Sequence, residues 1–465
     1  MSLKSRRSGR ADARVHHAPG PAFFQRFSKL FALDEVSAGP LLLASLIALA
    51  AVNSPWSAAY ESLWEAPLRI SYGRFDIGKP LAEWINDGLM PLFFLIIGTE
   101  VKREFAKGSL ASRETAVLPL AGAVGGLIVP IACFFALNFD EPTRHGWGIV
   151  AAMDTAFSLA VVGTFGRTLP SAVRAILLGF AAIDDVFGLL VIAAGYTPSF
   201  NPGFLLLAGA AYGGILGLQK LQSVSSAPYV ILGLGVWIGI LGSGIHPTIA
   251  GVAIGLLLPT ASRLSEESFV QRVQDPIKDV KRAAVAASQI EDDQAADKHR
   301  AEAQRSLGYI HEMAAATDEA AARLIRILTP WISYLVLPLF ALSNIRIHFS
   351  EHVLYEAWHS PLAAGIVVGL VLGKPVGFLL FSWLAIRLRL AALPKELTWI
   401  AMAGIGGVAG IGFTLSIFIA DLAFDKSEES QMAGLAICGA SLLSAVIGYL
   451  FFAIAARRNL GEDPG

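Results

Sequence analysis

Residues 171–195 have the sequence SAVRAILLGFAAIDDVFGLLVIAAG, and this stretch decides the fold class. It is long and apolar enough to form a helix across a bilayer, which takes about 20 residues. Near its midpoint, however, two acidic residues, Asp184 and Asp185, follow one another. A charged side chain at that depth costs roughly 2.5–3.5 kcal/mol to insert, so such residues mark functional positions. The stretch therefore predicts a transmembrane helix with a polar function at its centre.

Similar apolar segments occur along most of the chain, which is 54% hydrophobic with a mean hydropathy of +0.58. A soluble protein of this composition would expose large apolar patches. With residues 171–195 as the fifth, we predict about twelve spans in an all-α polytopic membrane protein. They lie at 38–54, 80–100, 115–137, 148–166, 171–195, 201–219, 227–243, 247–259, 324–345, 360–386, 398–424 and 429–456.

The distribution of positive charge gives the orientation of these spans. If the N-terminus is cytoplasmic, the segments on that side contain 29 Lys and Arg residues, the outer loops contain 6, and Lys374 lies within a span. Cytoplasmic loops carry such an excess, so we expect both termini in the cytoplasm of a bacterial inner membrane. The first 36 residues are polar and basic, without the apolar core of a signal peptide. The net charge of -1 is not informative about partners and gives no reason to expect nucleic-acid binding.

Two segments stand apart from the spans. Residues 262–322 are rich in Ala, Glu, Asp, Gln, Lys and Arg, and they predict a cytoplasmic helical insertion, either a solvated helix without a specific role or a regulatory element. Leu68–Ile77 alternates around a Gly and predicts a small hairpin outside the membrane. The expected organisation is a tail (1–36), spans one to eight (37–260), the insertion (261–323), spans nine to twelve (324–456) and a second tail (457–465).

Asp184 and Asp185 can support ion exchange. Adjacent helical residues point about 100° apart, so one carboxylate can face a cavity while the other faces a neighbouring helix. Carboxylate oxygens bind hard cations, by analogy with known sites for such ions, and the same oxygens bind protons. Competition of a cation and a proton for one site is what an exchanger requires. The alternative is a structural pair of carboxylates that accept hydrogen bonds from hydroxyl groups.

Two further ionisable residues lie near the middle of spans. A buried ammonium at Lys374 needs a carboxylate or helix C-terminal carbonyls, and Asp184 or Asp185 is the natural partner. Asp154, in the fourth span, could bind the ion or compensate the positive end of a helix. The eleventh span contains several glycines, which indicate either close helix packing or an unwound stretch facing a cavity. They are Gly404, Gly406, Gly407, Gly410 and Gly412, followed by Phe413, Thr414 and Ser416.

Other functions remain open from these residues alone. An intramembrane aspartyl protease needs two carboxylates facing each other across a peptide, and Asp154 would have to partner Asp184 or Asp185. A proton-coupled organic-solute carrier would need an aromatic or Arg-lined pocket, which the sequence does not indicate. The two cysteines, Cys133 and Cys438, lie in apolar runs and indicate neither a disulfide nor a zinc site.

Taken together, these motifs resemble those of the NhaA family of sodium/proton antiporters over roughly residues 30–260 and 323–456. The resemblance lies in Trp84-Ile-Asn-Asp-Gly-Leu-Met90, Gly98-Thr-Glu-Val-Lys-Arg-Glu104, Ala182-Ile-Asp-Asp185, Gly244-Ile-His-Pro-Thr-Ile-Ala-Gly251, Gly373-Lys-Pro375 and Gly410-Ile-Gly-Phe-Thr-Leu-Ser-Ile-Phe-Ile-Ala420. It implies electrogenic, pH-regulated exchange of cytoplasmic Na⁺ or Li⁺ for external H⁺, with no cofactor beyond the transported ions.

The resemblance also implies residue roles and an architecture. Spans three to five and ten to twelve would form inverted repeats, with discontinuous helices four and eleven crossing near Thr155, Gly410, Gly412 and Thr414. Asp184 and Asp185 would carry Na⁺ and protons, Lys374 would pair with a nearby carboxylate, and Asp154 would offset the helix ends. Glu100, Glu104 and His246 match positions linked to pH response. The hairpin at 68–77 matches the family's homodimer contact.

Three departures from the family pattern concern this site and its regulation. The family usually has Thr directly before the Asp of the fourth span, whereas this chain has Met153 there and Thr155 after the Asp. Ile325 occupies a position that is often acidic and pH-responsive. The insertion at 262–322 is much longer than the usual loop. A hydroxyl contribution at the fourth span and the form of pH activation are therefore in question.

Overall fold

The computed structural model of this chain describes residues 38–72, 75–139, 141–196, 201–221, 226–260, 265–289, 293–317, 319–424 and 428–461. The predicted tail at 1–36 lies outside these residues. The elements, in chain order, are α1 (Ala38–Val52), α2 (Ser57–Glu65), β1 (Pro67–Tyr72), β2 (Phe75–Pro80), α3 (Leu81–Lys107), α4 (Arg113–Asn138), a 3₁₀ helix (Pro142–Ala151), α5 (Thr155–Gly163), α6 (Ser171–Gly195), α7 (Pro202–Lys220), α8 (Ser226–Ser243), α9 (Thr248–Leu257), α10 (Glu266–Gln289), α11 (Asp293–Thr317), α12 (Ala321–Asn344), α13 (Glu351–His359), α14 (Pro361–Arg387), α15 (Trp399–Ala409), α16 (Phe413–Phe424) and α17 (Glu428–Gly461).

The length and hydropathy of these helices confirm a polytopic helical membrane protein. Within the described residues, eight helices are long and apolar enough to cross a membrane, or ten if each of two bent pairs counts as one span. One bent pair is α1 with α2, which turn through 117°, and the other is the 3₁₀ helix with α5, at 42°. Two shorter apolar helices, α8 and α9, correspond to the predicted seventh and eighth spans. The short helices α2 and α13 were not predicted.

The hairpin predicted at 68–77 is confirmed as the antiparallel pair β1 and β2, with Leu68 opposite Lys79. The two strands extend slightly further than predicted, to Pro67 and Pro80. Trp84 at the start of α3 donates through Nε1 to the carbonyl of Leu68 at 2.9 Å. This bond attaches the hairpin to the first turn of the following span.

Three spans each contain one π-helical turn that ends two residues before a proline. These turns are Ile85–Leu89 before Pro91, Ile332–Val336 before Pro338, and Gly369–Gly373 before Pro375. A proline cannot donate to the carbonyl four residues earlier and its ring clashes with it, so a wider turn relieves the clash. In α3 that carbonyl belongs to Asp87, and it accepts a hydrogen bond from Trp237 Nε1 at 2.7 Å.

Close packing of α4 against α14 positions the residue after the third π-turn, Lys374. The two helices meet at Gly125 and Gly377, where a Cβ on either residue would lie 2.1 Å from the carbonyl oxygen of the other. Only glycine allows the backbones to approach this closely. Lys374 lies one turn before Gly377, and the contact directs this part of α14 into the protein interior, where Lys374 is fully buried.

Candidate ion-binding site

The centre of the site is a buried ion pair between α6 and α14. Lys374 Nζ lies 2.8 Å from Oδ2 of Asp184, and the two side chains are 0% and 1% exposed. The other carboxylate oxygen of Asp184, Oδ1, is buried and has no hydrogen-bond partner within the described residues. Of the two partners that the sequence left open for Lys374, the geometry selects Asp184.

The neighbouring carboxylate, Asp185, makes no ion pair with Lys374 in the described structure. It is 8% exposed, and Oγ1 of Thr155 lies 3.4 Å from its Oδ2. The negative charges of Asp184, Glu100 and Asp154 act on it, and so does the positive charge of Lys374 without a direct bond. The divergence of the two aspartates follows from the 100° between successive helical residues. Within the described residues, Asp184 is the aspartate of this site that bonds to a lysine, and Asp185 lies next to a neutral hydroxyl instead.

Asp154 lies where the fourth span breaks, in the extended stretch between the 3₁₀ helix and α5. As the N-cap of α5 it accepts through Oδ1 from the amide of Phe157 at 3.2 Å. Its Oδ2 accepts from the amide of Thr414 at 3.2 Å and from the Thr414 hydroxyl at 2.5 Å. Thr414 belongs to the first turn of α16, so one carboxylate lies at the positive ends of two half-helices.

The two broken spans are joined by further hydrogen bonds at their crossing. The amide of Asp154 donates to the carbonyl of Ile411 at 2.6 Å. Two serine hydroxyls also join the two spans. Ser158 of the fourth span donates to Val408 O of the eleventh, and Ser416 of the eleventh donates to Ile149 O of the fourth, each at 2.8 Å. The sequence analysis assigned no role to either serine. The sequence feature that could have indicated these two serines is a small hydroxyl residue close after each break.

The glycines at the second break leave room for the crossing. A Cβ on Gly410 would lie 2.3 Å from the carbonyl oxygen of Leu370, and one on Gly412 would lie 2.1 Å from Ser416 Oγ. The structure thus brings Thr155, Thr414 and these two glycines together, as expected for the broken-helix region. Here the glycines serve both of the alternatives considered, because they permit close packing around an unwound stretch.

The three residues expected to respond to pH do not form one cluster. Glu100 is exposed on α3, and one turn later Glu104 accepts from the amide and hydroxyl of Ser109 at 2.8 and 2.9 Å. His246 lies 3.0 Å from Thr248 Oγ1, and its ring packs edge-on against Phe418 at 5.0 Å.

The packing of α9 along α3 explains this separation. Gly251 contacts Pro91 and Gly255 contacts Leu95, so the start of α9 lies towards the N-terminal end of α3. His246 precedes α9 and is therefore near the opposite end of α3 from Glu100.

The departures noted in the sequence have clear structural positions. Met153 is 1% exposed and contributes no oxygen through its side chain, whereas Thr155 supplies a hydroxyl next to Asp185. Ile325 packs against the main apolar core.

The arrangement of Asp154 does not fit the protease alternative. Both of its carboxylate oxygens bond to helix N-termini, so it does not face Asp184 or Asp185 across a free space as an aspartyl protease would require.

Comparison with known proteins shows what this chain is similar to. A family model described as Na⁺/H⁺ antiporter 1 matches residues 28–452. The chain is 37% identical over 427 residues to the Na⁺/H⁺ antiporter NhaA 2 of Sorangium cellulosum, covering 91% of this chain and 88% of that protein. It is also 37% identical over 435 residues to the Na⁺/H⁺ antiporter NhaA of Cupriavidus necator, covering 93% and 91%. A solved structure of the sodium proton antiporter MjNhaP1 from Methanocaldococcus jannaschii aligns over 95% of this chain and 97% of that chain, with 16% identity and a TM-score of 0.46.

Proposed function

Because this chain belongs to the Na⁺/H⁺ antiporter 1 family, it is a multi-pass membrane transporter that exchanges Na⁺ for H⁺, and we propose that Asp184 and Asp185 carry the ions. The family match confirms the resemblance to NhaA antiporters, and it excludes the enzyme alternative. The residue roles, the electrical balance and the topology that follow are proposals.

The observation that carries the residue assignment is the unequal pairing of the two aspartates. Asp184 bonds to Lys374, whereas Asp185 has no cation bonded to it within the part of the chain that the structure describes. A charge in a low-dielectric interior must be neutralised, so Asp185 takes up either Na⁺ or a proton. Because the two compete for the same oxygens, release of one accompanies binding of the other.

The charge balance makes the exchange electrogenic. On the outer side Asp185 releases the cation and takes up a proton, and Asp184 takes up a second proton as its bond to Lys374 breaks and the lysine keeps its charge. Two protons are therefore bound while one monovalent cation leaves the cell. More protons than cations therefore cross in each cycle, and net positive charge enters. Li⁺ shares the preference of Na⁺ for compact carboxylate oxygens, whereas the larger K⁺ gains less from them. No cofactor beyond these ions is needed.

Asp154 acts in this scheme mainly through charge compensation. Its two oxygens accept from the N-terminal turns of α5 and α16, and a negative charge stabilises such helix ends. This supports compensation over direct ion binding, although its charge also acts on Asp185. Glu100, Glu104 and His246 adjust transport to pH from their separate positions, which lie at the two ends of α3.

The membrane arrangement has twelve spans with both termini in the cytoplasm of a bacterial inner membrane. The ten candidate spans together with the short apolar helices α8 and α9 support this number. Spans three to five and ten to twelve form inverted repeats that rock around the crossing and expose the site to each side in turn. Residues 261–323 form a cytoplasmic helical insertion, and the hairpin at 68–77 joins two copies in a homodimer.

Everted vesicles loaded with a pH-sensitive dye test the residue assignment. Asp185→Asn and Asp184→Asn should abolish the dequenching that follows Na⁺ or Li⁺ addition. Asp275→Asn is a matched control, because Asp275 is exposed on α10 and bonds to Lys278. Clamping the membrane potential should change the exchange rate if the cycle is electrogenic. Full Na⁺-dependent dequenching in Asp185→Asn would refute the assignment.

A further inference from the structure

Among the described residues, Thr155 is the one whose side-chain hydroxyl lies next to the carboxylate of Asp185. Its Oγ1 lies 3.4 Å from Asp185 Oδ2, which is long for an O–H···O bond, since these are usually about 2.7–2.8 Å. Two oxygen ligands of one cation, in contrast, are about 3.4 Å apart when the bonds form a right angle and each is about 2.4 Å, as for Ca²⁺, an ion of nearly the same radius as Na⁺. The separation fits two ligands of a shared ion better than a direct hydrogen bond.

The position of this hydroxyl is fixed by the crossing of the two broken spans. Thr155 is the first residue of α5, and the preceding Asp154 bonds through its amide to Ile411 and through its carboxylate to Thr414. A β-branched side chain also has few rotamers. Thr155 Oγ1 therefore has little freedom to move towards or away from Asp185.

The Thr155 hydroxyl next to Asp185 differs in its chemistry from a third carboxylate at the same position. It has one donor and two lone pairs, so it can donate to Asp185 and turn a lone pair to a cation when one binds. It remains neutral, and so it raises cation affinity without adding a proton to be exchanged. The adjacent Met153 side chain offers no oxygen that could do this.

We propose that the Thr155 hydroxyl is a neutral ligand of the transported cation and favours Na⁺ over Li⁺. The proposal rests on the proposed function, in which Asp185 is the cation-binding carboxylate. Li⁺ is smaller than Na⁺ and forms shorter bonds to oxygen. With bonds of about 2.0–2.1 Å, as for Mg²⁺, an ion would need the two oxygens about 2.9 Å apart at the same angle. Because the crossing resists that movement, Thr155 contributes less to Li⁺ binding than to Na⁺ binding.

The test is exchange kinetics of the full-length protein in proteoliposomes with Na⁺ and with Li⁺. Thr155→Val removes the hydroxyl but keeps the shape, and Thr155→Ser keeps the hydroxyl. Thr164→Val is the matched control, because its exposed hydroxyl bonds to Val161 O at 2.7 Å at the other end of α5. We expect Thr155→Val to raise the KM for Na⁺ about tenfold, the value of one oxygen contact to a charged group. Its KM for Li⁺ should rise less, its maximal rate should stay the same, and Thr155→Ser and Thr164→Val should resemble the unmodified protein.

Two outcomes would overturn this inference about Thr155 while leaving the proposed function intact. One is an unchanged KM for Na⁺ in Thr155→Val together with an inactive Asp185→Asn. Another is an equal loss in Thr155→Val and Thr155→Ser, which would indicate a structural role. Full activity of Asp185→Asn would instead refute the proposed function itself. Thermal unfolding in detergent shows whether Thr155→Val folds, and Thr155→Ala replaces it in the comparison if it does not.

Discussion

Asp154 of one broken span accepts two hydrogen bonds from Thr414 of the other, one from its amide and one from its hydroxyl. The same carboxylate also caps its own half-helix through Phe157. Each break leaves unpaired amides and a partial positive charge at the new helix end. A single acidic side chain satisfies both ends, which makes the crossing of the broken spans one unit.

We therefore expect Asp154→Ala to destabilise the protein more than loss of an ordinary cap does. An N-cap contributes about 0.5–2 kcal/mol, and this residue caps two helices. Ser350→Ala is the control, because Ser350 caps only α13 through Val353. Thermal unfolding in detergent should give the larger decrease for Asp154→Ala, with Asp154→Asn between the two because its amide keeps one acceptor oxygen. Equal decreases for Asp154→Ala and Ser350→Ala would contradict the double-cap interpretation.

A second prediction concerns the buried pair of Asp184 and Lys374. Lys374→Met removes the only positive partner that the described structure gives Asp184, and an uncompensated buried charge costs about 3–5 kcal/mol. Adding Asp184→Asn removes that charge, so the double variant should be more stable than Lys374→Met alone. Thermal unfolding of both single variants and the double variant measures this coupling. Additive losses would show that the contact contributes little.

The sequence was sufficient to predict which charged residues lie buried inside the spans but not how they pair. Asp184, Asp185, Asp154 and Lys374 were conspicuous because charges in apolar spans are costly. Which aspartate meets Lys374 depends on how α6 and α14 are rotated, and that rotation depends on packing at Gly125 and Gly377.

The same limit applies to the fold. Apolar runs predicted the spans, since bilayer thickness fixes their length. The π-turns were not predicted, although each precedes a proline, because a proline within a span can also be accommodated by a kink. The bonds of Ser158 and Ser416 join residues far apart in the chain, so a hydroxyl residue close after a break does not indicate which carbonyl it bonds to.

Arg389 gives a third prediction, because it has a φ of +59° and is the non-glycine residue with positive φ in the described part of the chain. It follows α14 in a C-cap motif in which its amide donates to Ile386 O and that of Leu390 to Ala385 O. This position favours glycine, and a side chain there costs about 1–2 kcal/mol. Arg389→Gly should raise the unfolding temperature, whereas Arg389→Ala should not. A gain in the alanine variant would point to charge instead of backbone strain.

Lys79 on β2 gives a prediction about pH. Partial burial lowers the pKa of Lys79, but its hydrogen bond to Asp87 and the charges of Asp87 and Glu83 outweigh burial, so the pKa is raised above its ordinary value of 10.5. A raised lysine pKa stabilises the folded state fully below pH 10.5, and this contribution disappears as pH rises through the folded-state pKa. The difference in unfolding temperature between the unmodified protein and Lys79→Met should therefore be constant from neutral pH to the unfolded-state pKa. A difference that shrinks already near neutral pH would mean that another group titrates in this contact.

The last prediction concerns the cytoplasmic insertion. Helices α10 and α11 pack extensively against each other, and the two ends of the insertion meet where the amide of Ala321 donates to Pro259 O at 3.2 Å. The chain can therefore be closed there by a connection of about four to six residues. Replacing residues 261–318 with such a Gly/Ser linker keeps Glu319 and its ion pair with Lys107 at the end of α3.

We expect this shortened protein to insert, to unfold at a similar temperature and to exchange Na⁺ for H⁺ at an unchanged rate, because none of the bonds described above at the ion site involves α10 or α11. Exchange measured across pH in proteoliposomes separates the two roles considered for the insertion. A solvated element without a specific role predicts the same pH profile as the full chain. A shifted profile with an unchanged maximal rate would mean that the insertion regulates access from the cytoplasm near Lys107, whereas loss of exchange in a stable, shortened protein would contradict the view that the spans alone perform transport.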